Sequence, residues 1–269
     1  AMKLTARNQL ALAFGAIAVS AGHVIMASRA AGGATHKKAD GSPVTEADLA
    51  ADDFIRGRLP GVVPGVLVIT EETFEAETAA HNLPDRFILV DPLDGTREYA
   101  AGRDEFTVNI ALIEGGQPVV GTIYAPAMSL LYVAGSEAYR ADVRPDAAVP
   151  ALEAMQKLST HPAPADGMRA VASRSHLDPD TKQWLDARPI KEFCSAGSSL
   201  KFCKVAEGEA DVYPRLAPTM EWDTAAGQAI LTAAGGSVLC VDGSPFRYGK
   251  TGQKFKNGSF VAWGRSPVQ

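Results

Sequence analysis

The apolar run Phe87-Ile88-Leu89-Val90 ends abruptly in Asp91-Pro92-Leu93-Asp94-Gly95-Thr96. A short run of this kind reads as a buried strand. The proline blocks its regular continuation, and the glycine marks a turn. Two carboxylates three positions apart are therefore fixed at the end of a buried element. Such a turn can aim Asp91, Asp94 and a main-chain carbonyl at one point, and hard cations such as Mg²⁺ require oxygen ligands of that kind. The amides after Gly95 could meet an anion at a helix start. An Asx-type turn that happens to hold two aspartates explains the same hexapeptide. Taken alone, it decides neither way.

Three further acidic segments each have an ordinary explanation. Glu71-Glu72 follows the β-branched run Val66–Thr70, and adjacent acids at a strand end are usually solvated. Trp222-Asp223-Thr224-Ala225-Ala226-Gly227 opens a helix, where an aspartate ordinarily serves as a cap or dipole partner. Thr45-Glu46-Ala47-Asp48 reads as a capping box. All four segments are acids at element ends, scattered along the chain. Gathered near one point they would repel one another strongly without cations between them. Two or three Mg²⁺ would neutralise them, and in two-metal phosphatases the ions lie ~4 Å apart and clamp the attacking and leaving oxygens.

The 269 residues suffice for one large domain or two modest ones. A 46% hydrophobic and 21% charged composition predicts a globular chain. The net charge of −5, without a Lys/Arg-rich run, argues against a nucleic-acid binder. It leaves room for a small anionic substrate, because bound cations invert the local sign of a site. Cys194, Cys203 and Cys240 form no C-x-x-C pair, which reads as a reduced intracellular protein without disulfides or a zinc cluster. Cys203 is read as core. Leu10–Met26 is apolar with Lys3 and Arg7 ahead of it, a pattern shared with export signals. Its Ala and Gly content, with Ser20 and His23, predicts a buried first helix and no integral membrane segment.

Periodicity predicts helices over 5–30 and 45–59, the second stopped at Pro60-Gly61. Strands follow at 66–70 and 87–90, a hairpin at 106–113 and 118–124 around Gly115-Gly116, and a strand at 129–133. The charged, Pro-containing stretch 142–150 is the candidate junction, giving domains 1–145 and 146–269. Beyond it, strands near 171, 210–213 and 237–241 alternate with helices at 180–187, 198–207 and 224–234. The fold class is α/β in the mixed α+β sense, with sheets and helices in layers.

The hexapeptide resembles the D-P-[IL]-D-G-T signature of the inositol monophosphatase superfamily, and Trp222–Gly227 its W-D-x-A-A-G signature. Glu71-Glu72 is similar to the acidic pair before the first signature, and Ser42–Asp48 to the P-V-T-x-A-D segment. The resemblance runs from Ala39 to Gly236. It implies a layered αβαβα sandwich of the inositol monophosphatase and fructose-1,6-bisphosphatase type. It implies two or three Mg²⁺ held by Glu71, Asp91, the Leu93 carbonyl, Asp94 and Asp223, with Glu71 preferred to Glu72 as the first acid of the pair. Asp48, Thr96 and Glu71 become the catalytic residues. Thr96 would orient or deprotonate the attacking water, Asp48 would act on the same network, and Thr45 would support it. Leu93, Asp94, Gly95, Thr96 and Asp223 would border the substrate phosphate. Water would attack directly, with inversion at phosphorus and no phosphoenzyme.

Several segments resemble the CysQ-type nucleotidase branch. They are Glu105–Leu112 (E-F-T-V-N-I-A-L), Gly197–Cys203 (G-S-S-L-K-F-C), Val205–Gly208, Val212–Arg215 and Ser173–His176. By this resemblance Ser173 and His176 line the nucleotide, while Ser198, Lys201 and Arg215 bind the phosphate that is not cleaved. Lys201 as a solvated helical lysine, Arg215 paired to a surface acid and His176 in an ordinary loop remain the simpler alternatives. The implied reaction is hydrolysis of adenosine 3′,5′-bisphosphate to AMP and phosphate, clearing a by-product of sulfate assimilation. An inositol or sugar monophosphatase with the same metals is the rival. A non-catalytic nucleotide sensor should lack a metal carboxylate or Thr96, and this chain has them all. The expected partner is a small nucleotide bisphosphate, not nucleic acid. The expected setting is the cytoplasm, with peripheral attachment at the inner membrane left open, as monomer or homodimer.

Overall fold

The computed structural model describes residues 4–32, 35–37, 43–74, 83–172 and 177–265. Helix α1 (Leu4–Ala30) leads to an antiparallel pair, β1 (Thr35–Lys37) and β2 (Pro43–Thr45), and then to α2 (Glu46–Val62). In α1, Leu10, Phe14, Ile17, Ala21 and Ile25 recur at helical spacing and are all buried. The helix is long and apolar enough to cross a membrane, but 56% of that stretch is buried inside the protein. Pro60 does not stop α2 as expected. It stands in the last turn, which Val63 closes by donating its N–H to the Leu59 carbonyl at 2.8 Å.

Seven strands then build one sheet in chain order. They are β3 (Leu67–Thr70), β4 (Arg86–Asp94), β5 (Thr107–Glu114), β6 (Gln117–Ala125), β7 (Leu130–Ala134), β8 (Ala138–Asp142) and β9 (Gln156–Lys157), with α3 (Thr96–Ala100) inserted after β4. Only β3 and β4 run parallel; the other neighbours are antiparallel. Alternate residues serve opposite faces. Ile88, Val90, Ile110 and Leu112 meet the core with α1 and α2, whereas Phe87, Leu89, Ala111 and Ile113 join a second core.

The rest of the chain forms β10 (Met168–Ala172), α4 (Pro179–Asp186), β11 (Ile190–Ser195), α5 (Leu200–Ala206), β12 (Val212–Arg215), β13 (Thr219–Met220), α6 (Glu221–Ala233), β14 (Ser237–Cys240), β15 (Lys256–Asn257) and β16 (Phe260–Trp263). Five of these strands make a second sheet in the order β11-β10-β12-β16-β14, and β13 pairs with β15. Val171, Tyr213 and Phe260 share the second core with α5 and α6, while Ala170, Val212 and Val261 turn to Trp184 and Leu185 of α4. The layers are therefore α1 and α2, a sheet, α5 and α6, a second sheet, and α4. This is the expected αβαβα order. Helix α6 lies across β4, β5 and β6, which brings its first turn to the end of β4.

Candidate active site

The pairing of β4 with β5 is regular from Arg86 to Asp91 and slips between Asp91 and Asp94. Asp91 Oδ1 accepts the Leu93 N–H at 3.1 Å, so the hexapeptide does form an Asx-type turn. Gly95 has φ 93°, and a Cβ there would stand 2.4 Å from Ser198 Oγ. Conformation and space both require glycine at this corner.

Glu71 is the first residue after β3, and its N–H donates to the Val90 carbonyl at 3.1 Å. Because Thr70 and Val90 pair in parallel register, the residues that follow them, Glu71 and Asp91, lie side by side where the β3–β4 pairing ends. Asp223 arrives from the first turn of α6, where its Oδ2 accepts the Met220 N–H at 2.7 Å. One carboxylate oxygen from each of Glu71, Asp91 and Asp223 lies within 4.8 Å of the others. Asp94 lines the same cavity, and its Oδ2 accepts the Ser199 N–H at 2.7 Å.

Burial, followed by repulsion from Glu71, Asp94 and Asp223, holds the Asp91 carboxyl well above the usual carboxylate range. Asp223 is raised likewise, by burial first and then by Asp94. Asp94 is pushed up to about 6, burial outweighing the opposing pull of Lys201 and of the Ser199 N–H.

Asp48 serves two ends at once. Its Oδ2 accepts the main-chain N–H of Thr45 at 2.7 Å and also the Thr45 hydroxyl, completing the capping box of α2. Its Oδ1 accepts the Thr96 hydroxyl at 2.9 Å, and the Leu93 carbonyl oxygen lies 3.2 Å from the same hydroxyl. The cap and the cavity therefore share one buried carboxylate.

Lys201 also lines the cavity and is only 6% exposed. Its ammonium donates to the Ser198 carbonyl at 3.0 Å and lies 5.7 Å from the centre of the Tyr213 ring. Burial draws it below the ordinary lysine value, against the attraction of Asp94. It is not a solvated helical lysine. Arg215 lines the cavity as well, and its buried Nε has no hydrogen-bond partner among the described residues. The Ser198 hydroxyl donates to the carbonyls of Asp94 and Glu105, both at 3.0 Å. Ser173 and His176 lie outside the described residues, and the cavity of about 640 Å³ is bordered by their successors Leu177 and Asp178. Leu177, Asp178 and Ala217 escaped the sequence reading. Asp178 precedes Pro179 at a helix start, a pattern that signals only a cap.

The chain matches the inositol monophosphatase family over residues 5–262. It belongs to that family. Among curated members it is 42% identical to the 3′(2′),5′-bisphosphate nucleotidase CysQ of Escherichia coli, over 78% of this chain and 81% of that one. It superposes on the crystal structure of CysQ from Bacteroides thetaiotaomicron with a TM-score of 0.80 and 36% identity, covering 95% of this chain and 97% of that one. An IMPase of Thermotoga maritima shares the fold at a TM-score of 0.72 and 22% identity, covering 92% and 89% of the two chains. Inositol monophosphatase family enzymes are metal-dependent. The donor set here fits such a metal, because partly or wholly buried carboxylates that raise one another's pKa need a cation between them to ionise together.

Proposed function

We propose that this chain is a Mg²⁺-dependent 3′(2′),5′-bisphosphate nucleotidase that hydrolyses adenosine 3′,5′-bisphosphate to AMP and phosphate. The observation that carries the reading is the polarity of the cavity. Carboxylates of Glu71, Asp91 and Asp223 converge on one point of its lining, and Lys201 and Arg215 add two cations to the same lining. A monophosphate needs only the metal end. A substrate with two phosphates uses both, and Lys and Arg suit the one that stays. About 640 Å³ is ample for a nucleotide.

Glu71, Asp91, the Leu93 carbonyl, Asp94 and Asp223 would hold two or three Mg²⁺. When bound, the ions supply charge to offset the phosphoryl oxygens and lower the pKa of water toward neutrality. The chain's own residues then align the attack. Thr96 donates its hydroxyl hydrogen toward Asp48, so it meets an attacking water as an acceptor. Asp48 lies one hydrogen bond further on, where the proton can be held. Gly95 leaves the backbone open for the phosphate beside Thr96. No cysteine or histidine lines the cavity among the described residues, and the Ser198 hydroxyl is engaged by two carbonyls. The reading is direct attack by water, without a phosphoenzyme, as a metal-activated water provides. Lys201 and Arg215 would hold the second phosphate, with Ser198 fixing the loop beneath them, and Ser173 and His176 would border the nucleoside. The role fits clearance of a by-product of sulfate assimilation in the cytoplasm.

The test is phosphate release from adenosine 3′,5′-bisphosphate and inositol 1-phosphate, side by side at saturating Mg²⁺, with an EDTA control. Strong preference for the nucleotide, abolished by EDTA, is expected. Preference for inositol phosphate would keep the metal site and overturn the substrate.

A further inference from the structure

Next to Asp94 lies a set of buried polar groups from β5 and the start of α5. Thr107 and Asn109 are 0% and 1% exposed on β5, and neither lines the cavity. In the antiparallel register Thr107 stands opposite Asp94 and Asn109 opposite Asp91. Opposed residues in such a pair project to the same face of the sheet. The third member, Ser199, comes from the other half of the chain and is 2% exposed. Thr107 Oγ1 lies 3.0 Å from Asn109 Oδ1 and 2.8 Å from Ser199 Oγ, and Ser199 Oγ lies 2.8 Å from Asn109 Oδ1. Two hydroxyl hydrogens fill two of the three edges of this ring, and the buried Asn109 Nδ2 has no hydrogen-bond partner among the described residues.

Burying three polar side chains contributes little to a core that apolar residues could fill. What the ring does is hold Ser199 at a fixed place, and the Ser199 main-chain N–H is the group that donates to Asp94 Oδ2 at 2.7 Å. Two positions later the chain carries Lys201. We propose that Thr107, Asn109 and Ser199 are a positioning unit. They fix the Asp94 carboxylate for the metal, and through Ser199 they set the distance between the metal end of the site and Lys201. This role presupposes that Asp94 is a metal ligand.

Mn²⁺ binding to the metal-free protein, measured by calorimetry, tests the unit without relying on turnover. Ser199→Ala keeps the N–H that reaches Asp94 and removes only its anchor. Thr107→Val removes a second edge, and Thr107→Ser restores it. Partners that orient metal ligands typically contribute about 10- to 100-fold in affinity. Ser199→Ala and Thr107→Val are therefore each expected to weaken Mn²⁺ binding about tenfold or more. The double variant should be little worse than either single one, and Thr107→Ser should stay within about twofold of wild type by the same scale. Thermal melting of each metal-free variant confirms that it is folded. A merely structural role would lower the melting temperature and leave the Mn²⁺ affinity alone. Wild-type affinity in both Ser199→Ala and Thr107→Val overturns the proposal, as does Thr107→Ser falling with Thr107→Val. A wild-type protein that binds no Mn²⁺ would overturn the metal assignment first, and the positioning role with it.

Discussion

Asp48 shows how an ordinary local motif and a proposed catalytic position can be one residue. Its capping box is real, and the oxygen left over from the cap is the one that receives Thr96. Asp91 repeats the pattern, since one of its oxygens closes an Asx-type turn while the carboxylate still joins the acidic cluster. A local reading of either residue is correct and incomplete. Asp94→Asn separates the roles, because it removes charge without changing core volume. Turnover should fall to near background while the variant still melts cooperatively, and wild-type turnover in Asp94→Asn would remove Asp94 from the metal site. Lys201→Ala addresses the cations of the cavity. It should reduce kcat/KM for the bisphosphate by about tenfold or more, the scale of a lost charge-assisted hydrogen bond, and affect a simple monophosphate much less. Equal losses on both substrates would show that Lys201 does not touch a second phosphate.

Among the elements, the acidic ends were legible because strand and helix termini carry local signals: a proline, a glycine, a cap. What joins those ends was not. Glu71 and Asp91 meet because β3 and β4 are parallel and in register, and pairing direction leaves no local trace. Ser199 meets Asp94 across 105 positions of sequence. Strand β11 was missed because Ile190–Ser195 is an exposed edge with Lys191 and Glu192 interrupting any apolar face. Strand β16 was missed because four continuous apolar residues have no period to read. A tertiary aromatic clip was invisible for the same reason. Phe74, three residues beyond Glu71, has its ring centroid 5.4 Å from those of both Trp222 and Phe255, and Trp222 adjoins Asp223. The clip ties the turn after β3 to the start of α6. Phe74→Ala should cost roughly 2 kcal/mol in denaturant unfolding, less than the 3–5 of a wholly buried phenylalanine. It should also raise the Mg²⁺ concentration needed for half-maximal turnover, and an unchanged Mg²⁺ requirement would confine Phe74 to packing.

Across the whole molecule, the two sheets are joined through α5 and α6, and the clustered carboxylates proposed to hold metal come from both halves of the chain. Metal and fold should therefore be linked, and pH shows the link. Asp91, Asp94 and Asp223 have carboxyls raised by folding. Between the ordinary value of 3.8 and about 6 for Asp94, and above the ordinary value for the other two as well, the folded chain holds protons that the unfolded chain has released. The metal-free protein must then lose stability as pH rises through that window. Glu137, Asp166 and Asp242 are shifted the opposite way by their hydrogen-bond partners. Their stabilising contribution is complete above the ordinary carboxylate values of 3.8 and 4.5 and stays constant over the upper part of that window. In EDTA, the melting temperature should therefore decline from about pH 5 to about pH 7. Saturating Mg²⁺ requires the ionised carboxylates, so its stabilising effect should grow over the same interval. With free Mg²⁺ at 100 times its dissociation constant, the gain near neutrality should approach about 2.7 kcal/mol. A flat profile in EDTA would mean that the cluster ionises without strain. An Mg²⁺ increment equal at both pH values would mean that the ion binds somewhere other than these three aspartates.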